Sequence, residues 1–154
     1  MPEFKIVIKK SARRLELLEG DKLYRRYPIV LGSCPTGGKE IEGDGKTPEG
    51  EFYVFTKNPK SKYHLSLAVS YPSSEDAKRG LESGLISQGE FEEIIAAKET
   101  ISKPPQKTAL GGEIYIHGGG VDGDWTEGCI ALADHDMSEL FELVERGTKV
   151  EIYP

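Results

Sequence analysis

Short segments that alternate apolar and polar residues, cut apart by glycine and proline, constrain the fold of this chain more than any other feature. Residues 4–9 (FKIVIK) alternate in this way, and residues 14–18 and 22–30 repeat strand character on either side of Glu19-Gly20-Asp21. A side-chain period of two sends one set of residues to a core and the other to solvent, so this stretch reads as an opening β-hairpin. Residues 51–56, 64–71 and 148–153 read as further strands, with Pro72 ending the second of these. Helical periodicity is confined to two places. In residues 87–98, Ser87 and Glu90 form a capping box and Phe91, Ile94 and Ile95 share a face. In residues 134–146, Met137, Leu140, Phe141 and Val144 make one apolar stripe, with Gly147 as the stop. The pair Pro104-Pro105 blocks any continuation of a helix. The fold expected is mainly β with accessory α-helices.

Residues 32–50 are rich in Gly, Pro, Ser and Thr and read as loop. Their GDGKTPEG run lacks the spacing of a phosphate loop that opens a helix, so turn chemistry explains it. The 154 residues suit one domain, 1–154, with a core that needs no staples. A net charge of −6 with the two signs interspersed argues against nucleic acid as a partner. No stretch approaches the roughly 20 apolar residues of a membrane span. Residues 1–20 show neither the apolar core nor the cleavage site of a signal peptide.

The chemistry concentrates in residues 114–132, IYIHGGGVDGDWTEGCIAL. Tyr115 and His117 alternate with Ile114 and Ile116 as on a strand with two unlike faces, and a glycine-rich loop then leads back to Cys129. A thiol and an imidazole brought together are the minimum equipment for acyl transfer, the imidazole lowering a thiol pKa of about 8.5. Gly128 gives the chain room to turn, so that the N–H groups of Gly128 and Cys129 form a candidate oxyanion hole. The carbonyl of Gly118 is the candidate for orienting His117, with Asp122 and Asp124 as the carboxylate alternatives. The bland reading is a small buried cysteine and a histidine that ends a strand; spacing alone leaves both open.

Other candidates carry less. Cys34, in a turn-rich region, is expected to be an unpaired bystander, and a regulatory bridge to Cys129 would block the thiol. His64 and His135 sit where ordinary polar residues sit. A metal held by His117, Asp122, Asp124 and Cys129 is conceivable by residue type but lacks paired, short-spaced ligands, so neither metal nor cofactor is expected. Trp125 and Tyr115 offer aromatic faces to a substrate, Tyr71 a further wall, and Thr126 a polar group; packing under the loop is the alternative for Trp125.

Residues 114–132 resemble the active-site segment of the L,D-transpeptidase catalytic domain, the YkuD type. The positions that carry the resemblance are His117, Gly118, Thr126, Glu127, Gly128 and Cys129. It extends in order through GDGKTPEGEFYVF, LSLAVSYP, PPQKTALGGEIYIHG and the ending GTKVEIYP. The resemblance implies a β-sandwich with Cys129 as nucleophile at the rim of a sheet, His117 as its base and Gly118 as the orienting group. It implies peptidoglycan stem peptides as substrate, carbapenem-type inhibitors and a place in the cell envelope. Many family members have a second histidine where Glu127 stands and an arginine or asparagine where Ala131 stands; a DWT-x-GC-IAL subgroup resembles this chain in lacking both. An amidase of the same fold and a non-catalytic wall-binding module are the rival expectations.

Overall fold

A computed structural model describes residues 3–154; Met1 and Pro2, the first residues of the stretch read for an export signal, lie outside the described residues. Strands β1 (Phe4–Lys9), β2 (Arg14–Glu19) and β3 (Lys22–Pro28) form the expected antiparallel opening, with Glu19 opposite Lys22 across the turn and Gly20 in the left-handed region that such a turn requires. Strand β4 (Gly50–Ser61) is twice the length anticipated, and β5 (His64–Val69) pairs back along it. Two short helices follow, α1 (Ser74–Glu82) and α2 (Gln88–Glu99), then β6 (Tyr115–His117), β7 (Ile130–Ala131), α3 (Asp134–Leu143) and β8 (Lys149–Tyr153).

All eight strands belong to one sheet in the order β3-β2-β1-β8-β4-β5-β6-β7. The pairs β1–β8 and β6–β7 are parallel and the rest antiparallel. Register shifts at Leu17/Leu18 and at two points along β4–β5 mark irregularities of the kind that increase local twist. The sheet curls until Val30, just beyond β3, meets Ala131 of β7 through two backbone bonds of 3.0 Å. The two layers of the expected sandwich are thus one sheet folded over itself. Between them lies a core that includes Ile6, Ile8, Leu15, Leu17, Leu67, Ile116, Ile130 and Val150, joined by Met137 and Leu140 of α3 and by Val144 just beyond it. A satellite cluster, Ala77, Ile86, Ile94 and Leu110, sits under α1 and α2.

Several boundaries differ from the sequence expectation. Strand β3 ends at Pro28, which has no N–H to continue a ladder. Helix α3 ends at Leu143 rather than at residue 146, because Val144 turns to an extended conformation while keeping its side chain in the core. Helix α1 was not anticipated, although Ser73 and Asp76 form a capping box at its start. The capping box of Ser87 and Glu90 holds α2 as expected.

Candidate active site

Register decides which side chains meet. Tyr115 and His117 share the face of β6 opposite the buried Ile114 and Ile116, and Ala68 and Ser66 of β5 stand beside them. In the parallel β6–β7 pair, Ile116 lies opposite Ile130 and His117 opposite Ala131. Stepping back one residue brings Cys129 beside Tyr115 on the same outward face, because alternate residues of paired strands point the same way. His117, Tyr115 and Cys129 accordingly line one cleft of about 630 Å³ with Ser66, Tyr63 and Asn58.

His117 is 3% exposed. Its Nδ1 lies 2.6 Å from the carbonyl oxygen of Gly118. A carbonyl only accepts, so Nδ1 carries the proton and Nε2 is left with its lone pair. Tyr63 stacks on the ring at 4.6 Å between centroids, and Trp125 meets it edge-on at 5.5 Å. Burial lowers the imidazole pKa, opposed by the Gly118 bond, so the ring is neutral at pH 7.

Cys129 is half-buried. Its Sγ accepts from the N–H of Tyr115 at 3.4 Å and donates to the carbonyl of Glu113 at 3.5 Å, not to His117. Burial pushes the thiol up to about 11; the Tyr115 N–H opposes this, while the charges of Glu113 and Glu127 add to it. Both shifts favour a neutral thiol beside a neutral imidazole over an ion pair.

The loop between the two is fixed by polar contacts to distant parts of the chain. Asp134 Oδ1 accepts from Gly119 N at 2.8 Å, and a Cβ on Gly118 would sit 2.6 Å from that same oxygen. The indole N–H of Trp125 donates to Gly120 O, holding a ring that is 38% exposed. Asp124 takes two bonds from Arg13 and one from Leu31 N, so it braces the loop and does not orient His117. Asp122 is exposed. Thr126 is buried, its Oγ1 donating to Cys129 O at 2.8 Å and accepting from Gly128 N at 3.2 Å. Two expectations change here. Thr126 shapes the turn from inside rather than facing a substrate, and the Gly128 N–H is used within the loop rather than free for an oxyanion.

Tyr71 is also not a wall of the cleft. It is fully buried in the core, where its hydroxyl donates to Leu110 O at 2.7 Å. His64 contacts Ser138, and His135 is exposed beside Asp136. Cys34 is exposed, and both thiols are free. Sequence reasoning passed over Tyr63, and also Lys62 and Lys103, which line the cleft with no carboxylate among its lining residues. It also passed over Thr47, read as turn chemistry, whose fully buried hydroxyl donates to Gly128 O at 2.8 Å. A second hollow, of about 320 Å³ between the sheet and α2, is lined by Phe52, Ile94 and Ile101 and contains neither cysteine nor histidine. Among the described residues no helix is long and apolar enough to cross a membrane.

A curled mainly β sheet with a cysteine and a histidine on one outward face matches a known catalytic domain. The family model of the YkuD L,D-transpeptidase catalytic domain matches residues 3–152, and the chain belongs to that family. Over 97% of its length it is 27% identical to YafK of Escherichia coli (strain K12), named as an L,D-transpeptidase, and covers 53% of that protein. It is 23% identical over 98% of its length to YkuD of Bacillus licheniformis, named likewise, and covers 66% of it. The chain therefore spans between about half and two thirds of these relatives. Among solved structures, the helical cell shape determining protein Pgp2 of Campylobacter jejuni superposes with a TM-score of 0.67 at 24% identity, over 97% of this chain and 47% of that one. L,D-transpeptidase 1 of Mycobacterium tuberculosis gives 0.57 at 14% identity, over 99% and 62%. These structural likenesses establish the shared fold.

Proposed function

We propose that the protein is a cysteine L,D-transpeptidase that acts on peptidoglycan stem peptides through a thioester, residues 1–154 forming one catalytic domain. The observation that carries this reading is the half-buried Cys129 and the buried, neutral His117 on one face of paired strands, opening into one cleft. The Gly118 carbonyl fixes the tautomer that leaves Nε2 as a base. Cys129 gives up its bond to Glu113 O and passes its proton to His117 as sulfur attacks the carbonyl of the third stem residue. The carbonyl electron pair moves onto oxygen, where the Cys129 N–H receives it, a contribution of about 3 to 4 kcal/mol for such a donor. When the carbonyl re-forms, the C–N bond breaks and the departing amine takes the proton from His117. An acceptor amine then attacks the thioester, loses its proton to His117 and expels the thiolate, which takes that proton back. Tyr115 and Trp125 flank the reacting groups as substrate contacts. Because the substrate lies in the wall, the reading places the protein in the cell envelope.

A relative of the same fold is solved in complex with imipenem, which supplies a probe. Intact-mass measurement with a carbapenem is expected to show one adduct that disappears in Cys129→Ala. Absence of both an adduct and muropeptide conversion would sink the proposal. Tetrapeptide muropeptides with and without an added amine then separate transfer, seen as dimers or exchanged ends, from hydrolysis, seen as shortened stems.

A further inference from the structure

We infer that Thr47 is a positioning residue that sets the oxyanion-binding peptide of the nucleophile turn; this rests on the acyl-transfer reading above. The Gly128 carbonyl and the Cys129 N–H belong to the same peptide group. In a trans peptide those two bonds point in opposite directions within one rigid plane. Whatever fixes the carbonyl therefore aims the N–H. Thr47 Oγ1 donates to that carbonyl at 2.8 Å from a fully buried position 81 residues away in sequence. It holds the oxygen on the interior side, leaving the N–H directed the other way.

The clamp is itself anchored. Lys10, only 2% exposed at the end of the first strand pair, donates to Thr47 O and to Gly37 O, each at 2.8 Å, and to Glu49 Oε2 at 3.1 Å. A buried ammonium satisfied by three acceptors holds the backbone around Thr47 against movement, since losing either carbonyl leaves a buried N–H unsatisfied and losing Glu49 leaves the charge unpaired. The neighbouring residue presses on the same turn: a Cβ on Gly128, which has φ +124, would lie 2.7 Å from Lys46 O. A donor on the carbonyl also polarises the amide, making the N–H at the other end a stronger donor. With the Gly128 N–H already bound to Thr126, the Cys129 N–H is the amide of this turn that the clamp serves.

The test compares two reactions of one sulfur in a Cys34→Ser background. Acylation by a carbapenem passes through an oxyanion; alkylation by iodoacetamide displaces iodide and forms none. Thr47→Val is expected to slow acylation by about 10- to 100-fold, part of the loss seen when an oxyanion donor is removed outright. Its alkylation rate at Cys129 should stay within about twofold of the parent. Thr47→Ser, which keeps the hydroxyl, should recover most of the acylation rate. Equal slowing of both reactions, no slowing in Thr47→Val, or no recovery in a folded Thr47→Ser would each overturn the inference. No acylation of the parent by carbapenem or muropeptide would instead remove the acyl-transfer reading, and the inference with it.

Discussion

The β1–β2–β8 region and the region that carries Cys129 and His117 are held together by different means. Strand β1 is registered with β2 over every residue from Phe4 to Lys9 and with β8 from Lys5 to Tyr153's partner Lys9, with Ile6, Ile8, Leu15 and Leu17 fully buried between the layers. Strands β6 and β7 share only the pairs Ile116–Ile130 and His117–Ala131. What positions the loop before Cys129 is a set of individual bonds to other parts of the chain, among them Thr47 to Gly128, Asp134 to Gly119 and Asp124 to Leu31. The ladder and its core carry stability, while the loop bonds carry aim. A substitution in one region should therefore leave the property of the other almost untouched.

The largest expected effect is on stability, from Leu17→Ala. Leu17 is wholly buried, and truncating such a residue costs about 2 to 5 kcal/mol. Urea unfolding should show that loss, while the folded variant acylates at the parent rate; a parallel fall in both would break the comparison. Gly128→Ala should act on aim instead, at some cost in stability. Its φ of +124 and the 2.7 Å approach to Lys46 O impose strain of about 1 to 3 kcal/mol. Even 1.4 kcal/mol lost from the transition state would slow acylation about tenfold, and stopped-flow measurement should find at least that. The smallest effect lies in the pH profile. Because burial lowers the His117 pKa, the unfolded chain binds more protons there at mildly acid pH. Its contribution to stability is full above the ordinary imidazole value of about 6.5 and is lost as pH falls through the lowered one. Urea midpoints between pH 5 and 7.5 should fall less steeply in His117→Asn; an unchanged slope would place the ring in water.

The same division explains what the sequence disclosed. The opening hairpin and α2 were legible because alternation, the turn residues around Glu19-Gly20-Asp21 and the Ser87–Glu90 box are local signals. The pairing of Tyr115 and His117 on one face followed from strand parity. Tyr71 defeated the same reasoning because its hydroxyl is satisfied by Leu110 O, 39 residues away, and so its ring can be buried. The engagement of the Gly128 N–H was equally hidden, since it depends on how Thr126 turns inward once Gly32 packs against the loop. Thr47 lay in a run that local patterns explain fully as turns, and only the folded chain brings it to Gly128.

The contact of Val30 with Ala131 has a consequence for recognition. Strand β7 is two residues long, yet β6 occupies one of its edges and Val30 the other. A peptide cannot join the sheet at β7, beside Cys129, as an additional strand, the mode by which many domains grip extended chains through main-chain bonds alone. On the proposed function, a stem peptide would approach Cys129 across the open face and be known by its side chains and ends, so that the groups lining that face, rather than the backbone, would choose the substrate.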